Sequence, residues 1–492
     1  MTDYKQILWS LQEYFTTHDG GLQYCTLTFF ITFLVFYLFY TLLRRGRREV
    51  ILGYVVVFSL FYAYKANGWF MLLLPATTLI SWTLTRYMQR LRDGRKRKAV
   101  ATLTVIVVLS PLLYFKYTNF AIQTLNNIVE SNFAPLEIFL PIGISFYTFQ
   151  AISYVVDVYK RKFPGDTSLL EYTFFLTFFP LLMAGPITRP QTLIPQLKEN
   201  PPFDKNLLYS GLWLVICGIL KKGVIADYIA QYNNWIFEDP AGFSGFENLM
   251  GVFGYTMQIY CDFSGYSDLS IGLAAMMGFK LLPNFNSPYQ SLNLSEFWHR
   301  WHIALSTWFR DYLYIPLGGN RKGKFRTYLN NFITMLFAGW WHGASWMFII
   351  WGAVHGVGLM IHKSNKFWLD RLGKGIAVSV VAWLITFCYV AFAWIFFRAT
   401  SVGNAIEIIT RIATDFSIDY LVPFVTARPV WSIFIAIAFI LHLAIREKTF
   451  YRMQHLFVRT PWILKLLIFV VAVQLVINFR LETVQPFIYA QF

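Results

Sequence analysis

Apolar runs of about twenty residues recur along this chain, separated by short polar connections, and a run of that length is what a helix needs to cross a bilayer. Backbone in hydrocarbon must satisfy its own N–H and C=O groups, which helices do within each run. The fold class read from this pattern is an all-α, polytopic membrane protein. Composition agrees, with 56% hydrophobic and 14% charged residues, against about 25% charged in soluble domains. The 492 residues would suggest several soluble domains, but a polytopic bundle does not obey that arithmetic, and 1–492 is read as one embedded domain.

Spans are expected near 25–43, 49–65, 69–87, 99–117, 138–158, 206–220, 247–278, 328–340, 344–362, 376–397, 429–446 and 461–478. Allowing for runs that only dip into the bilayer, this gives roughly eleven crossings plus re-entrant or half-helices. The run 173–185 is half a span long, contains Pro180 and ends at Gly185-Pro186, which suits a re-entrant element. The first 24 residues lack a basic segment leading into an apolar one, so no cleaved leader is read. Ile7, Leu8, Leu11 and Phe15 recur at helical spacing, as in a helix lying on the membrane surface.

A net charge of +16 would point to nucleic acid in a soluble protein. Here the basic residues crowd into short connections: Arg44, Arg45, Arg47 and Arg48, then Arg86 to Lys98, Lys160 to Lys162, Lys221 and Lys222, Arg321 to Arg326 and Arg446 to Arg452. Such loops face the cytoplasm, which leaves the N-terminus outside, and no nucleic-acid partner is called. The four cysteines show neither a pairing framework nor CxxC spacing.

Residues 283–362 break the pattern of plain spans by mixing aromatics with histidines, arginines and glycines, and polar backbone at membrane depth survives only where protein or water covers it. His342, in Ala338-Gly339-Trp340-Trp341-His342-Gly343-Ala344, is ionisable, lacks a nearby carboxylate in sequence and so stands as a functional candidate. Asn293-Leu294-Ser295-Glu296 reads as a capping box starting a helix that carries Phe297-Trp298-His299-Arg300-Trp301-His302 on to Trp308. On one continuous helix His299, His302 and Ser306 share a face. Three histidines could bind zinc, but no HExxH or cysteine ligand supports this, and no metal is called. The ordinary alternative, anchoring at the interface, suits His299 beside Arg300; His302 and His342 are read as functional. The loop from Gly318 to Lys324 fits GxxxxGK but continues with Phe325 and follows no strand, so a nucleotide-hydrolysing loop is rejected. Arg321, Lys322 and Lys324 are either a plain cytoplasmic loop or a landing patch for a phosphate-bearing donor or an acidic carrier. Asp262 and Ser264 could line a substrate path, the alternative for Asp262 and Asp268 being pairing with arginines. Arg310 and Asp311 are expected to pair with other helices.

The strings Tyr260-Cys261-Asp262-Phe263-Ser264-Gly265-Tyr266-Ser267-Asp268, Phe297 to His302, Trp308 to Arg321 and Trp341-His342-Gly343, in this order, resemble the membrane-bound O-acyltransferase superfamily, in the bacterial branch with the alginate O-acetyltransferase and teichoic-acid D-alanyltransferase membrane subunits. Weaker likeness runs through Gly185-Pro186-Ile187 and Trp394 to Arg398. The resemblance implies helices around a central tunnel in the bacterial cytoplasmic membrane. It also implies acyl transfer from a cytoplasmic thioester to an extracytoplasmic polysaccharide, acetyl by preference, with D-alanyl transfer to a cell-envelope polymer as the alternative. The donor would be acetyl-CoA or a phosphopantetheinyl carrier, used as substrate with no bound cofactor. A separate extracytoplasmic acyltransferase or hydrolase-like partner would complete the transfer. His342 matches the superfamily's hallmark histidine and His302 a second one of the bacterial branch; Trp298, His299, Trp301 and Trp341 are lining candidates. A desolvated imidazole favours its neutral form, so His342 is expected to act as base on a hydroxyl attacking the thioester, with His302 orienting the acceptor or stabilising the oxyanion. Ser306 and Cys261 have nucleophilic chemistry but read better as packing residues. Two other classes remain: a transporter of polymer or lipid-linked sugar, and a passive scaffold for a secreted transferase.

Overall fold

In the first part of the chain, burial follows aromatic spacing. Phe29, Phe33, Phe36 and Tyr40 lie one turn apart on the helix Leu27–Leu43, and all four are buried. Thr26 caps that helix, its hydroxyl accepting the Phe29 N–H at 3.2 Å. Across from it the helix Arg48–Asn67 brings Phe58 to 4.1 Å from Phe36, ring centre to ring centre, and such stacked pairs add to the gain from burial alone. The computed structural model describes residues 24–183, 185–200, 203–365 and 375–479, so the expected surface helix at the start of the chain lies outside the described residues.

Backbone contacts divide the chain into two units, 1–203 and 204–492. Among the described residues every regular element is helical, with no strand. In the first unit, helices Leu73–Arg90, Gly94–Leu112 and Ile144–Tyr159 follow the two above. The expected half-span is observed as Leu169–Thr177 and Phe179–Leu182, broken at Phe178. Its start is a full capping box between Ser168 and Glu171. The Glu171 carboxylate is 3% exposed and held at 2.8 Å by Arg48 Nη1.

The second unit is built on Gly245–Met276, a 32-residue helix, about 48 Å long at 1.5 Å per residue. Ser244 and Glu247 form its capping box. Lys205–Ile219 packs along it, and the hairpin Lys324–His342 and Trp346–Ser364 contributes the histidine region. That hairpin is tight because Gly339 and Gly352 leave room for backbone: a methyl on Gly339 would overlap the Phe348 carbonyl oxygen and sit 3.2 Å from Gly352 Cα.

Many large apolar side chains point outward, among them Leu34 at 67% and Ile376 at 86% exposure, as lipid-facing surface requires. Among the described residues, four helical stretches are long and apolar enough to span: Arg48–Arg90, Gly94–Val129, Ile376–Arg398 and Trp462–Phe479. The bent pair Ile418–Ala427 and Pro429–Ala444, at 107°, makes a fifth if counted as one span. Length and apolarity alone thus support fewer spans than the sequence reading counted, partly because helices such as Gly245–Met276 interleave polar residues and glycines with apolar ones.

Candidate active site

The helix starting at Leu294 does not run through to Trp308. Asn293 caps it by accepting the Glu296 N–H at 2.9 Å, as expected. The Glu296 carboxylate, however, returns to the Leu292 N–H rather than to Asn293, so the box is only half formed. The helix then ends at Arg300, and a second one runs Ile303–Phe309. Between them His302 sits in the left-handed region at φ 43°, ψ 55°, a conformation that costs an L-residue roughly 1–2 kcal/mol. The expected shared face of His299, His302 and Ser306 is therefore not present. His299 is exposed, with Nδ1 2.5 Å from the Ser295 carbonyl, whereas His302 is fully buried. Ser306 donates its hydroxyl to the Trp301 carbonyl at 3.3 Å. Among the described residues no three His, Cys, Asp or Glu side chains gather as a metal site.

The break turns His302 toward His342. The two rings lie 6.5 Å apart, centre to centre, inside an aromatic wall. Phe263, from the long helix, meets His302 edge-on at 4.6 Å, and Trp341 lies 6.1 Å from His302 and 5.1 Å from His342. His342 is the last residue of its helix, which stops because Gly343 is extended, at φ −160° and ψ 154°. Trp351, at 5.0 Å, and Phe397, at 5.3 Å, close its other sides. His302 Nδ1 is 3.1 Å from Asn284 Oδ1, and its Nε2 has no hydrogen-bond partner among the described residues. Two buried imidazoles this close are placed to take and return a proton.

The other sequence candidates fall into three places. Trp298 and Trp301 belong to an adjoining aromatic cluster, Trp298 at 5.8 Å from Trp351 and Trp301 at 5.0 Å from Trp394. Ser264 is buried within the long helix. Asp262 is also buried but is ion-paired with Lys222, which binds Asp227 as well, at 2.8 Å. Asp268 pairs with Lys221, so lysines pair with both aspartates where arginines were anticipated, and Lys221 and Lys222 lie within the helical segment Leu220–Ala226, not in the short connection expected for them. Arg310 and Asp311 bind each other at 2.8 Å. Arg321, Lys322 and Lys324 are exposed on their loop.

His355 escaped the sequence reading. On Trp346–Ser364, it is fully buried, lies 4.9 Å from Trp351 and 5.1 Å from Trp298, and neither nitrogen has a hydrogen-bond partner among the described residues. The signal was the one that marked His342, an ionisable ring inside an apolar run.

Residues 51–403 match the model of the family described as MBOAT, membrane-bound O-acyltransferase family. The chain belongs to that family. It is therefore an acyltransferase, and a membrane protein. Three relatives place it further. The "Probable alginate O-acetylase AlgI" of Pseudomonas aeruginosa is 41% identical over 368 residues, 73% of this chain and 69% of that protein. A peptidoglycan O-acetyltransferase of Helicobacter pylori is 35% identical over 382 residues, 72% of each chain. A teichoic acid D-alanyltransferase of Bacillus subtilis is 30% identical over 272 residues, 52% of this chain and 68% of that protein. Both catalytic candidates, His302 and His342, lie inside the family match.

Proposed function

We propose that the chain passes an acetyl group from a cytoplasmic thioester, acetyl-CoA or an acyl phosphopantetheinyl carrier, to a hydroxyl on the way to an extracytoplasmic polysaccharide. The observation that carries this is the buried pair of histidines, 6.5 Å apart and walled by aromatic rings. The preference for acetyl follows the higher identity to the two O-acetylating relatives, 41% and 35%, than to the D-alanylating one, 30%.

The proton path is the core of the chemistry. The hydroxyl oxygen attacks the thioester carbonyl carbon while its proton passes to an imidazole lone pair; the C–S bond breaks and the thiolate leaves with that proton, giving ester and thiol. His302 and His342 share this path. A positive charge on His342 would sit at the C-terminal end of its helix, where the helix dipole favours cations. Excluding water from the aromatic nest protects the thioester from hydrolysis. Exposed Arg321, Lys322 and Lys324 would attract the phosphates of the donor or an acidic carrier. A separate extracytoplasmic partner would finish delivery to the polymer, and the N-terminus would face outward.

The test is mass spectrometry of surface polysaccharide and peptidoglycan from a deletion strain complemented with wild type or His342→Ala. One O-acetyl modification should disappear on deletion, return with wild type and stay absent with His342→Ala. Disappearance of D-alanine instead would replace the acyl group. Restoration by His342→Ala would overturn the enzymatic reading in favour of transport or scaffolding.

A further inference from the structure

We infer that Asn284 is a positioning residue that fixes His302 as the Nδ1–H tautomer, so that the Nε2 lone pair faces the substrate and takes the hydroxyl proton. This rests on the acyl-transfer reading for its catalytic half; the tautomer itself rests on geometry alone.

Asn284 lies between the long helix and Leu294–Arg300 and is 1% exposed. It makes four hydrogen bonds. Its backbone carbonyl accepts the Ile303 N–H at 2.9 Å. Its side-chain Oδ1 accepts the Ala304 N–H at 3.1 Å and faces His302 Nδ1 at 3.1 Å, while Nδ2 donates to Ser267 Oγ at 3.0 Å. A backbone N–H can only donate, so the amide atom opposite Ala304 has to be the oxygen; a flipped amide would set two donors against each other. With the oxygen fixed, the His302 nitrogen facing it must carry a hydrogen. A neutral imidazole has one N–H, so Nε2 is left as an acceptor.

The same contacts hold His302 in its left-handed turn. Asn284 satisfies the first two N–H groups of Ile303–Phe309, which a helix start leaves without partners of its own. Backbone strain at a non-glycine residue persists where its surroundings over-determine it, and functional sites are where such residues cluster. Nε2 has no hydrogen-bond partner among the described residues, in a ring that is fully buried. A neutral ring so oriented cannot donate to an oxyanion, but it can accept from a hydroxyl. That moves the first proton acceptor from His342, as sequence suggested, to His302. The proton then reaches the leaving thiolate by way of His342, and the products are still one ester and one thiol.

The test is solid-state NMR of full-length, 15N-histidine-labelled protein in bilayers, with His302 assigned by its absence in His302→Gln. Wild type should show a protonated Nδ1 and a pyridine-type Nε2 at this residue. Asn284→Leu should lose that signature and at least tenfold of the acyl transfer from acetyl-CoA. Asn284→Ala carrying Nδ-methylhistidine at position 302 should recover activity, because alkylation holds the lone pair on Nε2 without the asparagine. A wild-type His302 protonated at Nε2, or a leucine variant that keeps the signature, overturns the inference. The wild-type spectrum needs no change at Asn284, so the test stands even where leucine prevents folding. Full transfer activity in both His302→Gln and His342→Ala would overturn the histidine-dependent reading of acyl transfer instead, and leave the spectrum as it is.

Discussion

Gly339→Ala should disable the enzyme without touching any group that reacts. Gly339 stands one turn before His342, at the closest approach of Lys324–His342 to Trp346–Ser364. An added methyl would overlap the Phe348 carbonyl oxygen and lie 3.1 Å from the carbonyl carbon and 3.2 Å from Gly352 Cα, all backbone atoms that cannot swing aside. The two helices must therefore part by about 1 Å, and a misplacement of that size at a reacting group costs on the order of 100-fold in rate. Overpacking of this kind destabilises by about 1–3 kcal/mol, little enough to leave a folded protein. Turnover of acetyl-CoA by purified protein in proteoliposomes, with thermal unfolding of the same sample, separates the two effects. Gly53→Ala is the control: its methyl meets nothing within 4 Å, and alanine in a helix interior gains roughly 0.5–1 kcal/mol over glycine. Wild-type turnover in Gly339→Ala would refute the claim that hairpin packing sets the position of His342.

Lys222→Met should destabilise by about 3–5 kcal/mol, because it strands the buried carboxylate of Asp262 and the half-buried one of Asp227; adding Asp262→Asn should restore part of the loss in a thermal-shift assay. Ser306→Ala should keep turnover within about a factor of two, since its hydroxyl is committed to the Trp301 carbonyl; a covalent acyl-serine trapped at this position would contradict that. Replacing Arg321, Lys322 and Lys324 by glutamine should raise KM for acetyl-CoA more than it lowers kcat, with the difference shrinking at high salt.

The helical class was legible because apolar runs with polar connections admit little else in a bilayer. His342 was legible for a related reason, being ionisable in a run that offers it no counter-charge. The break at His302 was not. Asn293 to Trp308 has a good cap and no proline or glycine, so local preference favours one helix. The interruption comes from Asn284, ten residues before the helix starts, which takes the N–H groups of Ile303 and Ala304. Tertiary hydrogen bonding overrode propensity, and with it went the shared face of His299, His302 and Ser306. Lys222 and Asp262 stand forty residues apart, so their pairing needed the packing of Lys205–Ile219 along the long helix. His355 carried the same sequence signal as His342 and was passed over within an otherwise plain span.

The most direct test of the histidine pair is the rate of acyl transfer from radiolabelled acetyl-CoA by the purified chain, reconstituted with its extracytoplasmic partner and its polymer acceptor, for wild type, His302→Gln and His342→Ala. Each substitution should lower the rate by roughly 10²–10⁴-fold while thermal unfolding stays near that of wild type. Equal rates in all three proteins would show that the buried histidines do not carry the proton.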